Sequence, residues 1–386
     1  MLKAPYIDKN EFFGNEAYKN ISKIIQTGGY KKLLVITGKK SYQISGLKNV
    51  LESQLYNVDY ITINDFEVNP KYSDILRIGK SLSATKFDLI VAGGGGSVID
   101  FAKGLNVYLS TQQNNGQNGI VNSSLLKAKF LPMVAIPTTA GTGSEATHFA
   151  VVYIDKKKVS VAHEALRPKY AIIDPRFCYK SPKYITACCG FDALCQAIES
   201  YWSINASIRS KKHAKKAIAL ITNSIVKATM QDCHKAREEL SLGSFLAGKA
   251  INISKTTAPH ALSYSLTSYF KIPHGHAVAL TLGKFFTINE SEKLHKDLTK
   301  NIDLKVHLEN LNEIKKNMGW LNRPNFESEW LNLMKECGLD TEIGELRNSG
   351  VSLEDLINSV NEERLSNHPI KITKKIISEI YSQLLA

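Results

Sequence analysis

Three apolar runs in the first half of the chain, each stopped by glycine or proline, predict buried strands: Leu33-Leu34-Val35-Ile36-Thr37 before Gly38, Leu89-Ile90-Val91-Ala92 before Gly93 to Gly96, and Met133-Val134-Ala135-Ile136 before Pro137. Between them, Ser73 to Ser83 and Val98 to Val107 have the polar–apolar spacing of helices. Strand–helix alternation of this kind predicts a parallel sheet. The stretch from Ser110 to Ser124 is polar and reads as a surface loop. After about Tyr184 no strand pattern remains, and helical spacing dominates to the end, as at Ile376, Ile377, Ile380, Tyr381 and Leu384. The fold expected is an α/β N-terminal dinucleotide-binding domain with a parallel sheet over 1–184 and an all-α C-terminal domain over 185–386.

Composition narrows the function classes. The chain has 386 residues, 43% hydrophobic and 22% charged, with a formal net charge of +13; this composition is that of a soluble globular protein, and the length suggests two domains. No apolar run is long enough to span a membrane, and Met1 to Lys9 has no signal-peptide pattern. The six cysteines contain no Cys-x-x-Cys pair, which points to a reduced, cytoplasmic setting. The basic residues are scattered in short clusters without interleaved aromatics, so neither nucleic acid nor membrane is expected as a partner. An anionic substrate or cofactor remains open.

Two loops at strand ends carry candidate chemistry. Gly93 to Gly96, followed by Ser97-Val98-Ile99-Asp100, joins a buried strand to a helix. Glycines there let an anion approach the free N–H groups of the first helical turn. Pro137-Thr138-Thr139-Ala140-Gly141-Thr142-Gly143-Ser144 follows the next strand with hydroxyls suited to a pyrophosphate, ribose or amide. Gly243 to Ala250 nearly matches a P-loop, but it follows a helical pattern and ends in Ala, so it reads as helix packing.

In the second half, His260 lies in a helical segment and His274 follows Pro273 at a turn. The segment from Cys189 to Ser200 looks like a helix start, with Asp192 and Gln196 four apart on one face. Asp192, His260 and His274 together could hold a divalent metal.

These pieces resemble the iron-containing (group III) alcohol dehydrogenase family: Gly94-Gly95-Gly96-Ser97-Val98-Ile99-Asp100, Pro137 to Glu145, Gly190-Phe191-Asp192-Ala193-Leu194 and Ile272-Pro273-His274-Gly275. The resemblance implies a metal- and NAD(P)-dependent alcohol dehydrogenase or aldehyde reductase with its active site in the cleft between the domains. It implies Fe²⁺ or Zn²⁺ on Asp192, His260 and His274, with Gln196 at the position of a further histidine ligand and Tyr264 at that of another active-site histidine. Tyr264 and His274 are thus the implied catalytic pair. For NADPH or NADH it implies contacts from Gly38, Lys39, Asn69, Gly95, Gly96, Ser97, Asp100, Thr138, Thr139, Thr142 and Lys158. The usual aspartate after the first strand is replaced by Gly38-Lys39-Lys40, which predicts acceptance of NADPH.

Lys255, Thr256 and Thr257 precede His260, and His148, His163 and His276 stand where neutral residues are usual. Such additions point to an anionic aldehyde. They resemble the phosphonoacetaldehyde reductase (2-hydroxyethylphosphonate dehydrogenase) branch of the family, with His148, Lys255, Thr256 and Thr257 as substrate residues. The alternatives are a general dehydrogenase of small neutral alcohols and aldehydes, a dehydroquinate-synthase-like lyase, and a nucleotide-binding protein that has lost its metal site. A homodimer is the candidate assembly.

Overall fold

A computed structural model describes residues 6–111, 129–154, 157–299, 302–343, 350–360 and 362–385. Most of the predicted polar loop, 112–124, lies outside them. The chain forms two compact units, Met1–Ser181 and Pro182–Ala386.

The first unit is built on a six-stranded, all-parallel sheet in the order β1-β8-β5-β4-β2-β3. Its strands are β1 (Glu11–Phe13), β2 (Lys32–Thr37), β3 (Asp59–Ile63), β4 (Leu89–Gly94), β5 (Met133–Pro137) and β8 (Tyr170–Ile173). β6 (Phe149–Ile154) and β7 (Lys157–Ala162) pair separately as an antiparallel hairpin. The helices are α1 (Asn20–Gly28), α2 (Lys40–Ile44), α3 (Leu47–Gln54), α4 (Tyr72–Leu82) and α5 (Gly96–Thr111).

β2, β4 and β5 are buried almost throughout, which is why they read as unbroken apolar runs. One core layer joins Leu34, Ile36, Ile90 and Ala92 to Ile75, Phe101 and Leu105 of α4 and α5. The opposite layer joins Leu33, Val35 and Val134 to Ile21, Leu47 and Leu51 of α1 and α3. The register sets Thr37 beside Gly93 and Gly94 beside Pro137, so the ends of β2, β4 and β5 finish side by side.

A buried lysine ties α5 to the segment that follows the threonine loop. Lys103 of α5 is 0% exposed. Its ammonium donates to Ser144 O (2.7 Å), Ser144 Oγ (3.1 Å), Thr147 O (2.8 Å), Thr147 Oγ1 (3.0 Å) and Phe149 O (2.9 Å). Burial pulls its pKa down to about 8 against the attraction of Asp100 and Glu145. Such a charge is tolerated only because every face of the ammonium finds oxygen. Lys103→Met leaves these acceptors without their donor. It should cost about 3 kcal/mol, read as a lowered denaturant midpoint; an unchanged midpoint would remove Lys103 from this role.

The second unit is helical: α6 (Lys183–Trp202), α7 (Ile208–Met230), α8 (His234–Ser254), α9 (Ala258–Phe270), α10 (His274–Glu290), α11 (Leu304–Met318), α12 (Phe326–Glu336), α13 (Leu353–Asn358), α14 (Glu362–Leu365) and α15 (Lys374–Leu385). α6, α7 and α8 pack on one another through small residues. A Cβ on Gly243 would come within 2.5 Å of Ile221, so this glycine serves helix contact. Among the described residues, no helix is long and apolar enough to cross a membrane.

His368 is buried against Trp202 and Phe285, with ring centroids 5.7 and 5.3 Å away. Neither ring nitrogen has a hydrogen-bond partner among the described residues. Burial drives its pKa from 6.5 down to about 3. The unfolded chain therefore takes up a proton here that the folded chain refuses, so this contribution is whole above pH 6.5 and is lost as pH falls toward 3. His368→Met should flatten the decline of stability between pH 6.5 and 4 by up to about one proton; equal slopes in acid titrations of both proteins would contradict this.

Candidate metal centre and nucleotide-binding loops

The residues of the candidate metal centre come from three helices. Asp192 lies in the middle of α6, not at its start: the helix begins at Lys183, just after Pro182. His260 is on the first turn of α9. His274 opens α10, with Pro273 as its N-cap, so the expected turn ends in a helix. One ligand atom from each of Asp192, His260 and His274 lies within 4.8 Å of the others. His260 Nε2 is 3.3 Å and His274 Nε2 4.0 Å from Asp192 Oδ1, and Ser263 Oγ is 3.4 Å from His274 Nδ1.

Gly275 permits this convergence. A Cβ there would stand 1.9 Å from the Cys188 carbonyl oxygen and 2.9 Å from Asp192 Cβ. Backbone thus meets backbone where α10 begins, and His274 is delivered to Asp192.

Behind the ligands sits a carboxylate whose role the sequence reading missed. Glu199, 0% exposed, pairs with His260 Nδ1. Its other oxygen accepts from Thr257 N (2.7 Å) and Thr257 Oγ1 (2.9 Å), and that hydroxyl accepts from Trp202 Nε1 (2.9 Å). The carboxylate on Nδ1 turns His260 Nε2 toward Asp192, the usual support for a ligating histidine. A signal was available: Asp192, Gln196 and Glu199 share one helical face.

Charge follows from this packing. Burial opposes ionisation of Asp192, yet the hydrogen bond from His260 and the nearby His274 hold its carboxyl below the ordinary range. Burial likewise opposes a proton on His260, but Glu199 and Asp192 push its imidazole up to about 9. The site is electron-rich and suits a cation. An Asp oxygen with two imidazole nitrogens fits a divalent transition metal.

Several predicted residues have other employment. Gln196 donates its amide nitrogen to Asp192 Oδ1 at 3.1 Å and so steadies a ligand. Thr257 donates its N–H and its hydroxyl to Glu199. Thr256 is buried, and its carbonyl accepts from Asn367 Nδ2 at 3.0 Å. Lys255, left-handed at φ 61° and 45% exposed, pairs with Glu363 at 3.1 Å. It is a surface ion pair. His276 meets Asp340 O (2.7 Å) and Tyr184 Oη (3.1 Å). Tyr264, one turn beyond His260, lies with its ring 5.7 Å from that of His274. Burial raises its pKa and the Arg364 guanidinium opposes the rise.

In the first unit, the predicted nucleotide residues gather at the strand ends. A Cβ on Gly38 would approach Ser41 and Val98, one on Gly95 would touch Thr139, and one on Gly96 would strike Thr142 at 2.5 Å. Asn69 N donates to Ser97 Oγ at 3.3 Å, and Thr138 N to Gly94 O at 3.0 Å. Thr138 Oγ1 is buried with no hydrogen-bond partner among the described residues. Packed glycines and an unsatisfied hydroxyl at the N-terminus of α5 fit a phosphate-bearing ligand.

Asp100 does not offer its carboxylate there: it accepts from Ser144 Oγ (2.6 Å) and Val151 N (3.1 Å), and Lys158 of β7 acts on it electrostatically. Lys39 is held by Asp65 at 3.0 Å, and Arg77 pairs with Asp65 and Asp74. The Lys39 charge expected to favour a 2′-phosphate is thus matched locally. His148 lies 3.7 Å from Glu164, and His163 Nδ1 accepts from Ala165 N.

Comparison with known proteins agrees with this architecture. The family model described as iron-containing alcohol dehydrogenase matches residues 9–175, and that of the family's C-terminal region matches residues 186–385. Long-chain-alcohol dehydrogenase 1 of Geobacillus thermodenitrificans (strain NG80-2) is 36% identical over 264 residues, which span 66% of this chain and 65% of that protein. Alcohol dehydrogenase 4 of Saccharomyces cerevisiae (strain ATCC 204508 / S288c) is 32% identical over 72% of this chain and 73% of its own length. Among solved structures, an iron-containing alcohol dehydrogenase superposes with a TM-score of 0.84 at 29% identity, covering 100% of this chain and 99% of that one. The sulfoacetaldehyde reductase of Bifidobacterium kashiwanohense, solved with NAD⁺, gives 0.84 at 27% identity with the same coverage. The chain belongs to the iron-containing alcohol dehydrogenase family, and with it to the metal-dependent alcohol dehydrogenases.

Gly275→Ala tests how this centre is assembled. The added methyl should push α10 off α6, cost about 1–3 kcal/mol and weaken metal binding at least about tenfold, since second-layer disturbances alone reach that size. Unaltered metal content and thermal midpoint would show that the close contact is dispensable.

Proposed function

We propose that the chain catalyses the nicotinamide-linked interconversion of small aldehydes and alcohols, with a divalent metal held by Asp192, His260 and His274. The observation that carries this is the convergence of these three ligand atoms within 4.8 Å, backed by Glu199, in a chain of this family. When bound, the metal supplies Lewis acidity and the nicotinamide the hydride. The protein's own part is to orient: Glu199 fixes the tautomer of His260, and Gln196 steadies Asp192. Tyr264, beside His274, is the side chain placed to hold a proton near the reacting oxygen.

Both NADH and NADPH suit the first unit. Its Gly and Thr loops suit a pyrophosphate, and Asp65 and Asp74 offset the charges of Lys39 and Arg77 that would favour a 2′-phosphate. The lyase alternative has less support, because the relatives named above are dehydrogenases. Reduction of phosphonoacetaldehyde to 2-hydroxyethylphosphonate is a narrower reading. Two of its proposed anchors, Lys255 and Thr257, are already committed to Glu363 and Glu199, so the broader dehydrogenase reading is preferred.

The test is absorbance at 340 nm with NADH or NADPH and a panel of aldehydes, alongside metal analysis. Chelation should abolish turnover, and added Fe²⁺ or Zn²⁺ should restore it. Turnover that survives complete removal of metal would end the proposal.

A further inference from the structure

The turn between α8 and α9 holds a hydroxyl that helix capping does not explain. Thr257 is the N-cap of α9, the position from which a threonine hydroxyl ordinarily accepts a backbone N–H of the first turn. Its side chain makes no such cap. Thr257 is 0% exposed, and its hydroxyl donates to Glu199 Oε2 at 2.9 Å, beside its own backbone N–H at 2.7 Å. Trp202 Nε1 donates to the same hydroxyl at 2.9 Å.

The direction of each hydrogen follows from the groups themselves. An indole N–H can only donate, so the Thr257 oxygen accepts from Trp202 and keeps its own hydrogen for Glu199. A carboxylate only accepts, so Oε1 of Glu199 takes the Nδ1–H of His260. His260 Nε2, 3.3 Å from Asp192 Oδ1, is then the nitrogen offered to a cation. Trp202 and Glu199 belong to α6, while Thr257 and His260 lie at the start of α9. The hydrogen bonds therefore cross back and forth between the two helices that supply Asp192 and His260.

The turn itself is held against its backbone preference. Lys255, at φ 61° and ψ 175°, occupies a region that residues other than glycine avoid. Such a conformation persists only where its surroundings over-determine it. Ser203 Oγ donates to Ser254 O at 2.9 Å, Asn367 Nδ2 donates to Thr256 O at 3.0 Å, and Thr257 is fastened to Glu199. Residues 254–257 are thus pinned one after another, and the last of them delivers its hydroxyl to the carboxylate behind His260.

We propose that Thr257 is a positioning residue for the metal centre, one layer behind Glu199. With two donors on Oε2 it stops the carboxylate from turning and keeps Oε1 on His260 Nδ1. It thereby sets how tightly Asp192, His260 and His274 hold a divalent cation, and Trp202 supports it by fixing the hydroxyl. This rests on the metal-dependent reading above.

The test is the Zn²⁺ affinity of the full chain, stripped of metal and titrated in competition with a chromophoric chelator, so that no turnover is needed. Thr257→Val keeps the shape and the backbone donor but removes the hydroxyl. It should weaken Zn²⁺ binding by about 10- to 100-fold. Thr257→Ser returns the hydroxyl and should recover most of that affinity. Trp202→Phe takes away the donor to the hydroxyl and should weaken binding in the same direction by less; if the valine variant fails to fold, unchanged affinity here decides against the proposal. Equal affinity of the valine variant and the unaltered chain, or equal loss in the valine and serine variants, would overturn the role of Thr257 and leave the metal-dependent reading standing. An unaltered chain that binds neither Zn²⁺ nor Fe²⁺ would instead overturn that reading, and this inference with it.

Discussion

A carboxylate against an imidazole, Glu199 on His260, is the contact around which the helical unit is arranged. It joins α6 to α9 inside the protein, where an unmatched charge of either sign would be costly. Each polar atom in turn recruits the next: Glu199 takes both donors of Thr257, Thr257 takes the indole N–H of Trp202, and His260 turns its remaining nitrogen to Asp192. The start of α9 is therefore dictated by α6. Gly275 adds α10 by letting its first turn rest on the Cys188 carbonyl. The three ligands are held by helix packing and not by loops, which favours precise geometry.

Much of the fold is legible because burial and sequence pattern coincide. β2, β4 and β5 are covered on both faces and appear as plain apolar runs. β3 exposes Asp59, Tyr60 and Thr62 and resembles a loop, while β1 is only three residues long. The lysine-rich hairpin β6–β7 leaves no run of buried residues to notice. In the candidate site, Asp192, His260 and His274 stand out because few residue types bind metals. Lys255 and Lys39 are harder to read for the opposite reason. A lysine read alone counts as a free charge, and Glu363 and Asp65 become their partners only when the chain is folded.

Lys103 has a consequence for the nucleotide loops that its hydrogen bonds alone do not express. Five oxygens from Ser144, Thr147 and Phe149 converge on one ammonium carried by the same helix that the glycine loop opens. The far end of the threonine loop is thereby immobilised during folding, before any dinucleotide arrives. Ordering a flexible loop upon binding consumes affinity. Here part of that ordering is done in advance at Ser144 and Thr147, which lowers the cost of binding a dinucleotide beside them.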